Sequence, residues 1–153
     1  MENSFKIIPY QPDYKEDFKR INVEWIEKYF KIEEHDLEQL DAPDNITANG
    51  GQIFLALVNE EVVGTVALIH DGNQVFELAK MAVSPKAQGL GIGKTLCKTA
   101  IQEAKNRDAK RLYLLSNTQL TPALKIYENL GFTEVPIGEI LYERTDIKME
   151  YFL

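Results

Sequence analysis

The sequence has a single cysteine, Cys97, so no disulfide can form within the chain, and a reducing compartment suits it. Histidine is almost as scarce. His35 and His70 lie far apart, belong to no ligand pattern and do not neighbour Cys97, so neither a metal nor a covalent intermediate is expected. No apolar run approaches the roughly 20 residues that a membrane helix needs. The opening MENSFKII lacks the basic and apolar regions of a secretory signal, and a cytoplasmic location is the expectation. A surplus of positive charge is missing too, and the net charge of −7 argues against general nucleic-acid binding. Repeats, low-complexity segments and linker-like stretches are absent. The 153 residues read most simply as one domain, 1–153, large enough to bury a real core.

The charge that is present is unevenly placed. Residues 1–79 hold six Lys/Arg against sixteen Asp/Glu, a balance of −10. Residues 80–111 hold eight against two, or +6, and residues 112–153 three against six, or −3. The one basic island surrounds a glycine-dense loop, Gln88-Gly89-Leu90-Gly91-Ile92-Gly93-Lys94, which suits a polyanionic ligand on an otherwise acidic protein. Lys86 and Lys94 flank that loop, whereas Lys98, Lys105, Arg107 and Lys110 read equally well as a solvated helix face. The loop follows an apolar strand and a short polar link, and it opens straight into a helical pattern. Unpaired amides and the helix dipole converge at such a point and make a phosphate cradle.

Along the chain, residues 5–10 read as a short strand stopped by Pro9 and Pro12. Asp13 then caps a helix to residue 30, with Phe18, Ile21, Trp25, Ile26, Tyr29 and Phe30 at spacings of three and four. That stripe reads as core, with a C-terminal end available to a substrate cleft. A weaker helix covers 33–40 and stops before Pro43. Six carboxylates and no Lys or Arg lie between Glu33 and Asp44, as either a solvated helix face or a collar that attracts a cationic substrate. Residues 45–51 read as a loop. Strands follow at 52–58 and 62–69 around Asn59-Glu60-Glu61, and Asp71-Gly72-Asn73 turns into a third at 75–83, giving an antiparallel meander. Beyond the glycine loop come a helix at 91–106, a strand at 111–116 and a helix at 122–130. Pro122 sits in the first turn of that helix and Gly131 is its C-cap. Strands at 132–135 and 142–153 complete an α+β, or mixed α/β, arrangement.

The loop fails two familiar phosphate patterns. A P-loop needs Gly, four residues, then Gly-Lys-Ser/Thr, but counting back from Gly93 puts Gln88 at the first glycine. No later strand ends in an Asp suited to holding Mg²⁺, which disfavours a nucleotide phosphohydrolase. A Rossmann fingerprint needs a third glycine where Lys94 stands. Both patterns also expect a parallel sheet, not the end of a meander. The pattern Gln/Arg-x-x-Gly-x-Gly/Ala is met by Gln88, Gly91 and Gly93. Its setting is a strand before it, a helix after it, a strand ending Ser116-Asn117, and then Pro122-Ala123-Leu124-Lys125-Ile126-Tyr127-Glu128-Asn129-Leu130-Gly131-Phe132. On these residues the chain resembles the GNAT family of acyl-CoA-dependent N-acetyltransferases, whose second signature is a Tyr-bearing helix ending in Leu-Gly-Phe. The resemblance is closest over residues 62–135.

The resemblance implies a GNAT-like acyl-CoA N-acyltransferase fold, with a mixed central sheet of six to seven strands, an antiparallel N-terminal meander and flanking helices. It implies acetyl-CoA as the acyl donor, an amine acceptor, and direct transfer in a ternary complex without a metal. The pyrophosphate would rest on Gln88, Gly89, Leu90, Gly91, Ile92, Gly93 and Lys94, and the pantetheine arm would lie along Met81, Ala82 and Val83. The Met81 N–H would stabilise the oxyanion. Asn117 would hold the cofactor arm, and Tyr127 would either protonate the leaving thiolate or simply pack its helix. Glu77 falls where some members keep a general base. Strand alternation puts Glu77, Ala79 and Met81 on one face, toward the thioester carbonyl. An exposed or lysine-paired Glu77, with water as the base, is the alternative. Cys97 reads as a small buried hydrophobe rather than an acyl carrier. Members of this family often pair as homodimers, and the last strand would serve there. The other class of function is a non-catalytic acyl-CoA sensor, against which Glu77 and Tyr127 together weigh.

Overall fold

Tight turns set the first half of the fold. β2 (Gln52–Val58) returns as β3 (Glu61–His70) through Asn59 and Glu60, both with positive φ (50° and 65°), as a two-residue turn matched to strand twist requires. β3 returns as β4 (Val75–Val83), and β1 (Lys6–Pro9) pairs antiparallel on the outer side of β2. β5 (Arg111–Ser116), β6 (Phe132–Val135) and β7 (Ile147–Tyr151) complete one seven-stranded sheet in the order β1-β2-β3-β4-β5-β7-β6. This computed structural model describes residues 4–138 and 143–153. It has the mixed sheet and flanking helices expected of the GNAT acyl-CoA N-acyltransferase fold.

Helices cover both faces. α1 (Lys15–Tyr29) buries Phe18, Ile21 and Ile26 against Ile53, Leu55, Ala67 and Ala82. α4 (Ile92–Asn106) lays Ile92, Leu96, Ala100 and Ala104, at four-residue spacing, over Leu68, Phe76 and Leu78 on the opposite face. α5 (Thr121–Leu130) follows β5 and ends at Gly131, whose φ of 114° is the left-handed C-cap that glycine accepts. Two short helices, α2 (Glu34–Leu40) and α3 (Pro43–Ala48), join α1 to β2. No helix among the described residues is long and apolar enough to cross a membrane.

Several local expectations are corrected. Residues 45–51 are not all loop, because Pro43 starts α3 in the first-turn position where its missing N–H has no role. Asp13 does not cap α1. It lies in a short 3-10 turn, Pro12–Tyr14, and α1 begins without a side-chain cap. The last strand begins at Ile147, and Tyr142 lies outside the described residues. The acidic segment is neither a simple solvated face nor a free collar. Asp36 is fully buried and, with Glu33, forms a capping box at the start of α2.

The largest correction concerns β4. Ala67 faces Ala79 and Thr65 faces Ala82, so two residues of β4, Lys80 and Met81, stand opposite the single Val66 of β3. The extra residue makes a bulge, and Lys80 adopts φ 52° there. Alternation is therefore broken between Glu77 and Met81, which do not share a face. Phe76 and Leu78 before the bulge, and Met81 and Val83 after it, all belong to the α4 side. Glu77 and Ala79 belong to the α1 side, where Ala82 also packs.

The bulge is gripped from the α1 side. The Lys80 carbonyl accepts the Thr65 hydroxyl at 2.8 Å, and Thr65 Oγ1 accepts Asn22 Nδ2 at 3.0 Å. Lys80 Nζ donates to Asp36 Oδ1 at 2.8 Å, with side-chain exposures of 4% and 0%. Arg144 adds a bidentate clamp on Asp36 (2.7 and 2.8 Å), and the Glu33 N–H donates to it at 2.9 Å. Burial alone would raise the Asp36 carboxyl, but the Arg144 bonds and the Lys80 charge outweigh it and bring the pKa to about 2. Burial lowers Lys80 from its usual range despite Asp36 beside it.

Asp36→Ala takes from Lys80 and Arg144 the carboxylate they share, and is expected to cost about 3–5 kcal/mol in urea unfolding. An unchanged urea midpoint would mean that residues 33–44 are a dispensable appendage. Because the Asp36 pKa is depressed on folding, its contribution is present above its unfolded value and lost as pH falls toward about 2.

Candidate active site

β4 and β5 run parallel, but they pair only from Val75 to Glu77 against Arg111 to Tyr113. Beyond Glu77 the two strands part, and the sheet opens into a cleft. Two hollows occupy it. The outer one, a groove of about 490 Å³, runs from Met81 and Val83 to the glycine loop and across to Pro122 and Ile126 of α5. The inner one, about 80 Å³, lies on the α1 side between Glu77, Lys80, Asn117, Tyr127 and Arg144. Trp25, Met81 and Leu120 line both, so the hollows adjoin.

The groove's outer end is built by the loop. Gly91 is the N-cap of α4 with φ 81°, a conformation that glycine adopts freely and side chains resist. Helix geometry leaves the Ile92, Gly93 and Lys94 amides without intrahelical acceptors, turned toward the groove that these residues line. Gly93 serves closeness instead: a Cβ there would meet Ile126 Cδ1 at 3.4 Å and Met81 Sδ at 3.5 Å, ordinary contact distances. That fits a motif whose last position admits Gly or Ala.

Half of the basic island is ion-paired where it stands. Lys80 is paired with Asp36, Lys86 with Glu61, Arg107 with Glu103, and Arg111 with Glu150. Lys86 therefore turns away from the loop it flanks in sequence. Lys94 lines the groove and makes no ion pair among the described residues. The positive character left at the cradle comes from Lys94 and the helix terminus.

The inner cavity holds two groups with shifted protonation. Glu77 is 8% exposed, and its carboxyl makes no hydrogen bond among the described residues. Burial raises its pKa to about 7; Asp71 adds to the rise, while Lys80 and Lys148 oppose it. Tyr127 is buried, with its ring edge-on to Phe132 at 5.9 Å, so the residue both packs α5 and faces the cavity. Burial raises its phenol, which stays protonated at neutral pH. Asn117 also lines the cavity; its Nδ2 donates to the Arg144 carbonyl (2.6 Å) and its Oδ1 accepts the Gln119 N–H (2.8 Å). One N–H and one lone pair of that amide remain for a ligand. Cys97 lies in the core under α4, with its thiol pushed up to about 12 by burial.

Of the residues expected from sequence, Glu77, Met81, Val83, Gln88, Gly89, Gly91, Ile92, Gly93, Lys94, Asn117 and Tyr127 line these two hollows, whereas the Ala82 side chain is buried in the α1-side core and Leu90 packs on the α4-side core. Sequence reasoning missed Asn22, Lys80, Arg144 and Thr145 on the inner wall. Two signals were available: Lys80 interrupts an apolar strand, and Asn22 interrupts the apolar stripe of α1.

A family model described as the acetyltransferase (GNAT) family matches residues 15–132. A GNAT-family acetyltransferase structure from Staphylococcus aureus Mu50 is similar with a TM-score of 0.88 and 27% identity, over 97% of this chain and 98% of that one. A PaiA N-acetyltransferase from Thermoplasma acidophilum, solved in complex with coenzyme A, shares the fold at TM-score 0.75 and 18% identity, over 98% and 99% of the two chains. Human N-alpha-acetyltransferase 30 is 39% identical over 83 residues, which is 52% of this chain and 23% of that protein. Mycothiol acetyltransferase from Thermomonospora curvata is 29% identical over 91 residues, 60% and 30% of the two. The chain spans less than half the length of these curated relatives.

Because the Glu77 pKa is raised on folding, the folded chain keeps a proton there that the unfolded chain loses near the usual carboxylate range. The stability due to this group is therefore highest at low pH and falls as pH rises toward about 7. Glu77→Gln cannot ionise, so the Tm of the variant relative to wild type is expected to climb between about pH 5 and pH 8. A constant difference across that range would mean a solvated carboxylate.

Proposed function

The chain belongs to the GNAT acetyltransferase family, and on that premise we propose that it transfers acetyl from acetyl-CoA to a primary amine by direct attack in a ternary complex. The observation that carries this reading is that the two hollows adjoin along β4. A groove with a glycine-loop cradle at its far end runs along the freed edge of β4. Beside it lies a cavity that holds a carboxyl poised near neutrality and a protonated phenol. Coenzyme A in the T. acidophilum relative supports the same donor class here.

The residues fit such a donor. The loop from Gln88 to Lys94 offers backbone amides and one unpaired ammonium to a pyrophosphate. The edge of β4 at Met81, Ala82 and Val83, past the end of its pairing with β5, can take an extended arm as an added strand. Bound there, acetyl-CoA supplies an activated thioester. Asn117, held in place by the Arg144 carbonyl and the Gln119 amide, orients the arm with its remaining N–H.

The bulge divides the labour between the faces. Met81 and Val83 turn their side chains to the donor side, whereas Glu77 faces the inner cavity on the α1 side, where the acceptor enters. An amine reaches the cavity mostly as ammonium. Glu77 takes its proton, directly or through water, at a pKa suited to both states near neutral pH. The Met81 N–H faces the developing oxyanion, and Tyr127 returns a proton to the thiolate.

Acetyl-CoA at about 100 times its Kd is expected to stabilise the fold by about 2.7 kcal/mol. Thiol release with a panel of primary amines then tests transfer. Stabilisation without turnover on any amine would make the chain an acyl-CoA-binding module. Tyr127→Phe is expected to lower kcat by roughly 100-fold with little change in acetyl-CoA affinity; unchanged turnover would leave Tyr127 with packing alone.

A further inference from the structure

Lys80 combines three features that seldom coincide. It has a left-handed backbone, a side chain only 4% exposed, and a place at the strand position next to the proposed acyl site. A long L-side chain disfavours φ 52°, and glycine would adopt it freely. A buried ion pair is also a poor stability device, since desolvation offsets most of its attraction, and its better attested use is to fix one conformation. Something other than stability accounts for a lysine at this point.

We infer that the Asp36–Lys80 ion pair is a strut that holds residue 80 left-handed, and so aims the next amide, that of Met81, into the cleft. Asp36 and Lys80 are then positioning residues, an inference that rests on the transferase reading above. The geometry grips residue 80 at both ends. Its carbonyl is held by Thr65, which Asn22 of α1 holds in turn (2.8 and 3.0 Å). Its ammonium is drawn back to Asp36, itself fixed by the Arg144 fork and the Glu33 N–H. A turn of residue 80 to the right-handed region would rotate the 80–81 peptide and break the Thr65 bond. The strut opposes that rotation from α2, a helix that contributes nothing to the donor groove.

The test compares Lys80→Ala with Lys80→Gly. Both remove the ammonium and the same stem from the cavity wall, and they differ only in the Cβ that resists a positive φ. The alanine variant is expected to lose about ten-fold in kcat, with less than about two-fold change in the KM for acetyl-CoA. The glycine variant is expected to regain most of that loss, although both show a similar drop in Tm. Equal kcat in the two, whether low or at the wild-type level, overturns the strut. If the alanine variant does not fold, Asp36→Asn/Lys80→Ala against Asp36→Asn/Lys80→Gly makes the same comparison without the buried charge. Wild-type turnover is measured first: none on any amine overturns the transferase reading and this inference with it, whereas wild-type turnover with equal variants overturns only this one.

Discussion

One extra residue in β4 is the constraint on which the rest of the molecule depends. It interrupts a ladder that β3 would otherwise pair throughout, and it does so where β4 and β5 have just parted. A bulge in a buried central strand leaves backbone polar groups to be satisfied by other means. Thr65 and Asn22 meet that need with two side-chain bonds on the α1 side of the sheet. Without them the Lys80 carbonyl would face hydrocarbon. The cleft is thus a planned failure of sheet pairing, held open by polar atoms behind it.

Electrostatics in this chain work mainly at short range. The −10 and +6 blocks of the sequence suggest a large field, yet four of the island's eight basic residues have a carboxylate partner. The partners come from distant segments: Lys86 from Glu61, Arg111 from Glu150, and Lys80 from Asp36. The acidic N-terminal third and the basic middle are complementary halves of one structure. The charge left for a ligand is small and local, at Lys94 and the α4 terminus on one side and Glu77 on the other.

Local rules made most of the elements legible. β2, β4, β5 and β6 follow from alternation and turn chemistry, and the α4 face from four-residue spacing. The loop and the Leu-Gly-Phe segment identified the cleft's lining because their glycines answer to backbone geometry, which sequence expresses directly. The bulge escaped because register is fixed by the partner strand; a sequence read alone shows only even alternation. Asp36 escaped for a similar reason. Its clamp, Arg144, lies 108 residues away, and no periodicity joins them. Asp13 misled because a good capping residue is only a local preference, and the Pro12–Tyr14 turn took its place.

The bulge also has a consequence for how such a protein can diversify. Before it, β4 presents Glu77 to the wall formed by α1 and α2; after it, Met81 and Val83 face α4 and the loop. A substitution in the α1–α2 wall can therefore reshape one hollow while the lining of the other stays as it was. Trp25, shared by both, is where that independence ends. The same strand can keep a fixed appetite for one ligand and inherit a changing taste for the other.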